Sequence, residues 1–224
     1  AQNFTTATNS HNTAVGYQVG NLITTGQYNT FVGSIAGDSL TDVDFNTALG
    51  AQALTTDTLG SRSTAVGFGA LENQNFTTAT NSNNTAVGYH AGHDVTTGLQ
   101  NTLIGSAAGD SLTDADNNTA VGYAALGADT LGSRTTAIGY GALATQNFTT
   151  ATNADNVAIG YNASTALTTG RYDISIGSFA GDAQTTGAYN IAIGHSALST
   201  EVAGNASVAI GYEALQNQTH ATST

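Results

Sequence analysis

The stretch Asn-Thr-Ala-Val-Gly at residues 12–16 decides the fold, because variants of it recur along the whole chain at fixed spacing. The final glycines of successive copies are separated by gaps of 17, 17, 17 and then 21, and this pattern of gaps repeats. A short fixed period is typical of a solenoid, in which each coil stacks only on its neighbours. The sequence therefore predicts twelve coils, and their glycines are Gly16, Gly33, Gly50, Gly67, Gly88, Gly105, Gly122, Gly139, Gly160, Gly177, Gly194 and Gly211.

The residue before each of these glycines is aliphatic and almost always β-branched. Such residues favour strands, and a column of them is expected where parallel strands stack. No window shows the apolar spacing of a helix, so an all-β fold is predicted. The expected structural core is the column Val15, Val32, Leu49, Val66, Val87, Ile104, Val121, Ile138, Ile159, Ile176, Ile193 and Ile210.

Four successive coils form a block that is the unit of duplication. Residues 12–83 and 84–155 are identical at most aligned positions, and residues 156–224 form a diverged third block. Residues 1–11 match the end of a preceding coil. The domain prediction is a single β-solenoid over residues 1–224.

Each long coil carries an extra segment with the sequence Gln-Asn-Phe-Thr-Thr, found at residues 74–78 and 146–150 and also at 2–6. An inserted loop on a solenoid commonly projects from one face and carries binding contacts. The phenylalanines Phe4, Phe76 and Phe148 are therefore predicted to be exposed apolar tips and candidate binding residues.

Composition excludes several classes of partner. Three arginines and no lysine against fifteen acids give a net charge of −12, which repels nucleic acids and anionic bilayers. No apolar stretch approaches the roughly 20 residues that cross a membrane, so this segment is not expected to insert into one. A surface rich in Thr, Ser, Asn and Gly favours an extracellular location, on a cell or a virion.

The acids cluster at Asp38, Asp42 and Asp44, and the cluster recurs one block later at Asp110, Asp114 and Asp116. Carboxylates on a tight turn are possible Ca²⁺ ligands, since Ca²⁺ takes six to eight oxygens. Gly-Asp and Thr-Asp pairs also form solvated turns, and this explanation is favoured. The sequence therefore predicts no cofactor and no specific Ca²⁺ site, with these six residues as weak candidates.

Other polar constellations give weak signals. His90 and His93 lie three residues apart in one coil only, and three copies of His195 would meet a metal only at a trimer axis. Asp57 and Arg62 recur as Asp129 and Arg134, which suggests an ion pair. No nucleophile recurs beside a His or Glu, so no catalytic residue is assigned and an enzyme is not expected.

An aromatic residue follows the glycine in seven coils, at Tyr17, Phe68, Tyr89, Tyr123, Tyr140, Tyr161 and Tyr212. Such a column suits either packing at a protomer interface or stacking on sugar rings. Packing is favoured, because the column is frequent and in phase with the aliphatic one.

The copies at residues 156–160, 190–194 and 207–211 resemble the Asn/Ser-Val-Ala-Ile-Gly repeat of trimeric autotransporter adhesin heads, the YadA-like head. Residues 118–126, Asn-Thr-Ala-Val-Gly-Tyr-Ala-Ala-Leu, resemble related repeats of phage tail fibres. The resemblance implies a left-handed parallel β-roll, three copies of which pack side by side into a homotrimer. It also implies an outer surface that contacts a host cell or its matrix.

These observations predict a non-enzymatic adhesive or structural fibre segment that binds a cell-surface glycan or protein. The alternative is a filament subunit that stacks end to end with other copies of itself. A third interpretation, ice binding through the regular Thr column before each strand centre, is disfavoured because those Thr share a strand face with the predicted core.

Overall fold

The computed structural model describes residues 9–220, and within them every regular element is a short β-strand. The chain divides into two compact units, the first ending at Asp114 and the second beginning at Ala115. Each unit is a parallel β-solenoid of about six coils. The all-β solenoid predicted from the repeat is confirmed, while the single domain over residues 1–224 stays a prediction.

In the first unit, each coil contributes one short strand to a parallel sheet, and two further strands pair separately. Thr13 is in register with Thr30, Thr30 with Thr47, and Thr64 with Thr85 across the longer coil. The sheet strands are β1 (Thr13–Val15), β2 (Thr30–Val32), β3 (Thr47–Leu49), β5 (Thr64–Val66), β7 (Thr85–Val87) and β8 (Thr102–Ile104), and the separate pair is β4 (Gly60–Ser61) with β6 (Thr80–Asn81).

The second unit repeats this arrangement. Thr119 is in register with Thr136, and Thr136 with Val157 across the longer coil. The sheet strands are β9 (Thr119–Val121), β11 (Thr136–Ile138), β13 (Val157–Ile159), β14 (Ile174–Ile176), β15 (Ile191–Ile193) and β16 (Val208–Ile210), and the separate pair is β10 (Gly132–Ser133) with β12 (Thr152–Asn153).

Backbone pairing between coils continues beyond these short strands. The Gly20 N–H donates to the Ala36 carbonyl at 3.0 Å, and the Thr24 N–H donates to the Thr41 carbonyl at 3.0 Å. Similar bonds join each turn to the next through both units. Because the ladder satisfies backbone groups in the turns as well as in the strands, the coils need little regular strand to stack.

The core lies on the opposite strand face from the one predicted. The central residue of each strand is buried from Phe31 to Ala209, while Val15 is 58 % exposed and Ile210 is 66 % exposed. The prediction of a core column at Val15, Val32, Leu49, Val66, Val87, Ile104, Val121, Ile138, Ile159, Ile176, Ile193 and Ile210 is therefore wrong for the single chain: these residues lie on the outer face and are exposed or half-buried. We call them the outer aliphatic column.

The physical reason is the narrowness of the coil. Alternate residues of a strand point to opposite faces, so only one of Ala and its β-branched neighbours can point inward. The facing wall already supplies buried small residues such as Ala53 and Ala70, together with Leu54 and Leu71. Alanine at the strand centre fits the space that is left, and the larger aliphatic side chains turn outward.

Large residues occupy the strand centres where glycine makes room in the facing wall. Phe31 replaces alanine at the strand centre, and a Cβ added at Gly20 would lie 3.0 Å from its ring. In the same way, a Cβ at either Gly92 or Gly109 would lie 2.6 Å from Leu103. Four positions after the repeat glycine, Gly and Leu alternate in pairs along the chain, as at Gly20, Gly37, Leu54 and Leu71, and their volumes complement those of the strand centres.

A column of Asn side chains before the strands carries a second ladder through the interior. The Asn29 side chain donates to the Val43 carbonyl at 2.8 Å and accepts the Asn46 N–H at 2.9 Å. Asn46 repeats both bonds, to Gly60 and from Ser63. We call this the Asn column, and its members are Asn12, Asn29, Asn46, Ser63, Asn84, Asn101, Asn118, Thr135, Asn156, Asp173, Asn190 and Ser207.

The glycine that ends each repeat is fixed by the approach of the next coil. Gly50 has a φ of 139°, and a Cβ there would overlap the carbonyl oxygen of Gly67. The turns also use positive φ at larger residues, including Tyr28 at 57° and Leu54 at 51°. Gly, Asn and Asp are the usual residues of such turns, but here the bonds between coils hold larger residues in a conformation that costs energy in isolation.

Candidate functional site

The outer face of the strands exposes apolar side chains in each unit, such as Leu49 and Ile176. In coils one to eight it combines the outer aliphatic column with a column of Thr two residues earlier. In the last four coils both columns are aliphatic, and Val208 is 58 % exposed. Contiguous exposed apolar surface commonly marks a site of association. The aliphatic pairs of the last four coils are Val157 with Ile159, Ile174 with Ile176, Ile191 with Ile193, and Val208 with Ile210.

Exposed aromatic rings stack in columns beside this face. The rings of Tyr123 and Tyr140 are 5.1 Å apart, and those of Tyr140 and Tyr161 are 5.3 Å apart, with both pairs nearly parallel. All three side chains are about half exposed. The column that follows the repeat glycine therefore presents ring faces or edges to solvent in the isolated chain. His195 belongs to it and stacks on Tyr212 at 5.5 Å.

The phenylalanines of the long coils are not exposed tips. Phe76 and Phe148 are each only 6 % exposed, and Phe4 lies outside the described residues. The Phe76 N–H donates to the Asp57 carboxylate at 3.0 Å, and a Cβ at Gly60 would lie 2.8 Å from the Phe76 ring. The prediction that Phe76 and Phe148 are exposed binding residues is wrong, because the inserted segment folds onto the preceding coil and buries its ring.

The same segment carries a buried polar network. The Gln74 side chain donates to Asp57 at 2.6 Å and to Ser63 at 2.8 Å, and it accepts from Asn84 at 2.9 Å. Burial raises the pKa of Asp57, while its hydrogen bonds from Gln74, Phe76 and Gly60 act in the opposite direction. The network is repeated one block later by Gln146, which bonds Asp129, Thr135 and Asn156.

This burial contradicts the predicted pairing of Asp57 with Arg62 and of Asp129 with Arg134. Both aspartates are fully buried and bond inward, whereas Arg134 pairs with Asp155 at 2.7 Å on the surface. The two residues of that pair are separated by one long coil and occupy the same position in adjacent coils. The Asp and the Arg therefore recur for separate reasons: the aspartates belong to the buried network, and the arginines lie on the surface.

The six acids considered for Ca²⁺ serve in turns between coils. Asp42 accepts the Thr25 hydroxyl, and Asp114 accepts the Thr97 hydroxyl at 2.8 Å. Asp44 accepts the Gln27 N–H at 2.7 Å, and the Asp116 N–H donates to Ser133 at 2.9 Å. The remaining two of the six acids are Asp38 and Asp110, which occupy the same position in successive blocks.

Burial raises the pKa of both Asp38 and Asp110. The nearby His93 and His90 act to lower the pKa of Asp110, while Asp94 acts to raise it. One buried oxygen of Asp110 has no hydrogen-bond partner. The carboxyl therefore lies within electrostatic reach of the two histidines.

One set of metal-ligating groups comes together within residues 9–220. Atoms of Glu72, His90 and His93 lie within 4.8 Å of one another, and all three residues are half-buried. The Glu72 Oε2 and His93 Nε2 atoms are 3.5 Å apart, and His93 Nδ1 lies 2.7 Å from Asp94. The two histidines were identified as a weak pair from sequence, but the contribution of Glu72 was missed.

A signal for Glu72 was present in the repeat. The coil that begins at Gly67 is one of the long coils, so Glu72 and His93 occupy the same position in adjacent coils. Residues at equal positions in a stack are neighbours. Comparing polar residues separated by one long coil would have found both this cluster and the Arg134–Asp155 pair.

The Asn column contains one buried acid. Asp173 is 1 % exposed and accepts the Asn190 N–H at 2.7 Å, which reproduces one of the two bonds of an asparagine. Its second oxygen has no partner, whereas Asn156 and Asn190 donate from this position to Gly170 and Gly204. Burial raises the pKa of Asp173 to about 7.

Within residues 9–220 there is no helix of the length and hydrophobicity needed to span a bilayer. No protein-family model, curated protein or solved structure matches the chain.

Proposed function

We propose that the chain is a non-enzymatic, extracellular segment of an adhesive fibre, in which three left-handed β-rolls pack side by side and bind a cell-surface glycan or protein. The observation that carries this proposal is the outer aliphatic column. Every coil carries an aliphatic residue in this column, yet the single chain leaves these side chains at least partly exposed to solvent. Ile176 is 37 % exposed, Leu49 is 47 % exposed and Ile210 is 66 % exposed.

A partner copy is the natural cover for such a column. The column carries an aliphatic residue in every coil, so a second and a third copy would present matching apolar ridges along its length. Burial of apolar surface stabilises association by about 25 cal/mol per Å². Three identical faces around one axis satisfy the closed symmetry that homo-oligomers favour.

The stacked tyrosines provide a contact surface for a glycan. The rings of Tyr123, Tyr140 and Tyr161 stack nearly parallel on one another and are each about half exposed, so the series offers ring edges and phenol hydroxyls to a glycan. These residues replace Phe76 and Phe148 as the adhesive contacts of the proposal, because the two phenylalanines are buried.

The test is the mass of the chain in solution, measured by light scattering after size exclusion over a range of concentrations. We expect three chains per particle, and we expect Ile176→Glu with Ile210→Glu to give folded monomers. Thr149→Glu adds a charge at an exposed loop position and is the matched control. A monomeric parent chain would refute the trimer, and a mass that grows with concentration would favour the end-to-end filament.

Ice binding is the second candidate function, and a specific observation favours it. The Thr column of coils one to eight lies on the outer face and is exposed at Thr13 and Thr30, so the sequence argument that disfavoured ice binding no longer holds. A flat, regular array of hydroxyl and methyl groups is the kind of surface that would match ice. Thermal hysteresis that disappears in Thr30→Lys with Thr64→Lys would support this function, and its absence in the parent chain would exclude it.

A further inference from the structure

The cluster formed by Glu72, His90 and His93 has a donor set suited to a transition metal. Two imidazoles and one carboxylate bind Zn²⁺ with ligand distances of about 2.0–2.2 Å, and a water commonly completes a tetrahedron. Adjacent ligand atoms of such a tetrahedron are about 3.4 Å apart. The 3.5 Å between Glu72 Oε2 and His93 Nε2 already matches that edge.

Asp94 favours the tautomer of His93 in which the proton is on Nδ1 and Nε2 can bind a metal. Its Nδ1 lies 2.7 Å from an oxygen of Asp94, and the same oxygen accepts the Asn73 side-chain amide at 3.0 Å. A neutral His93 that donates Nδ1–H to this carboxylate has its lone pair on Nε2, which faces Glu72. A carboxylate behind a histidine is the usual support of a metal-bound imidazole.

His90 is oriented by its neighbours and by a glycine. Its ring stacks on Tyr89 at 4.0 Å and lies 4.5 Å from the ring of His93. A Cβ added at Gly69 would lie 2.9 Å from Glu72 Oε2 and 3.2 Å from His90 Nε2. Glycine at this position therefore lets both ligand atoms approach the same point.

Negative charge surrounds the cluster. Asp94 lies directly behind His93, and Asp110 occupies the same position as His93 in the following coil. Asp110 also has a buried oxygen without a hydrogen-bond partner. The negative charge of these acids attracts a cation. A cation also separates the lone pairs of Glu72 and a neutral His93, which otherwise face each other.

The duplicated block shows that this constellation is local. The positions equivalent to the cluster, one block later in the chain, carry neither an imidazole nor a carboxylate. The backbone there is similar, since His90 and Asn162 have φ angles of 52° and 51° and glycine recurs at position 141. The residues that correspond to Glu72, Asn73, His90, His93 and Asp94 are Ala144, Thr145, Asn162, Thr165 and Ala166.

We propose that Glu72, His90 and His93 bind one divalent transition-metal ion per chain, with Zn²⁺ the best-matched ion and Asp94 the positioning residue behind His93. The site ties two successive coils together at the surface, because Glu72 comes from one coil and both histidines come from the next. This inference is independent of the proposed adhesive function.

The test is titration of the full chain with ZnCl₂ by calorimetry in a buffer that does not chelate metals, with Co²⁺ absorption as a second readout of tetrahedral geometry. We expect one ion per chain and loss of saturable binding in His93→Ala and in His90→Ala. Asp94→Asn should weaken binding about 10-fold while leaving the stoichiometry unchanged. Circular dichroism and the Tm of each variant in EDTA check that the fold is retained.

The second unit supplies both controls. His195→Ala removes a histidine outside the cluster and should leave Zn²⁺ binding unchanged. The triple variant Ala144→Glu, Asn162→His and Thr165→His copies the ligands onto an equivalent backbone and should raise the stoichiometry to two. Absence of saturable binding in the parent chain, or equal binding in His93→Ala, would overturn the proposal.

Discussion

The first unit, up to Asp114, and the second unit, from Ala115, use the same coil but fill it differently. The first places Phe31 and Leu103 at its strand centres, whereas the second places Ser175 at the corresponding position. The Asn column of the first unit is interrupted only by Ser63, while that of the second includes the acid Asp173. The difference teaches that the backbone ladder and the repeat glycines define the fold, and that single side-chain positions vary within it.

The largest expected difference between the units lies at the strand centres. Phe31→Ala should lower the free energy of unfolding by about 3–5 kcal/mol, because it leaves a cavity beside two glycines that cannot fill it. Ser175→Ala removes one buried bond, to Ser164 at 2.7 Å, and should cost about 1 kcal/mol or less. Urea unfolding followed by circular dichroism measures both, and equal losses would contradict the volume pattern.

Asp173→Asn should make the second Asn column resemble the first. Since burial raises the pKa of Asp173 to about 7, the folded chain retains a proton that the unfolded chain releases near pH 4. The parent therefore loses stability as the pH rises from about 4 to 7, and the loss is complete above pH 7.

Asparagine restores the missing donor and removes this dependence, so the gain in stability should be small at pH 4.5 and as large as about 4 kcal/mol at pH 8. The measurement is the difference in Tm or unfolding free energy between variant and parent at the two pH values. A gain that does not change with pH would show that Asp173 is not the titrating group. Asn190→Asp is the converse change and should introduce the same pH dependence.

The buried network of the long coils should not distinguish the units. Gln74→Ala removes the bond to one carboxylate oxygen of Asp57 and one of the two bonds that the Asn84 side chain donates, and Gln146→Ala does the same to Asp129 and Asn156. Each change should cost about 2 kcal/mol, because unsatisfied buried polar groups carry their full desolvation penalty. Urea unfolding of both variants checks this, and a difference above about 1 kcal/mol would show that one network is supported by other contacts.

The smallest expected effect concerns the surface ion pair of the second unit. Arg134 and Asp155 pair at 2.7 Å, with side chains that are 53 % and 23 % exposed, while the first unit has Asn83 at the position equivalent to Asp155. A double-mutant cycle on this pair should give a coupling of about 0–1 kcal/mol that falls with added salt. Asn83→Asp should install a similar coupling to Arg62, and a coupling that ignores salt would argue against an ion pair.

Periodicity was sufficient to predict the architecture. The spacing of the repeat glycines predicted the all-β solenoid and the positions of the sheet strands, because a stack repeats the same local structure in each coil. The thin interior is also visible in the sequence, because the residue three positions after the repeat glycine is small, and Ala53 and Ala125 at this position are buried. These features depend on backbone sterics, which a sequence expresses directly.

Periodicity could not predict which face of each strand points into the core. Val66 and Ala65 are both apolar, and a hydrophobic column looks the same whether its own chain or a partner covers it. Exposure of Phe76 was wrong for a related reason, since the buried partner Asp57 comes from the preceding coil. Glu72 was missed because the ligands were sought within one coil, whereas a stack brings together equal positions of adjacent coils.

The complementarity of Phe31 with its glycines bears on how a chain of near-identical coils avoids mispairing. A coil displaced by one place would still form the backbone ladder and the Asn-column bonds, because every coil offers the same groups. If a coil with leucine at this position, such as the one that carries Leu54, took the place of the coil that carries Gly20, its side chain would meet the Phe31 ring, because even a Cβ at Gly20 would lie 3.0 Å from that ring. Steric clashes at the bulky residues thus disfavour wrong pairings of coils that the repeated hydrogen bonds alone would permit.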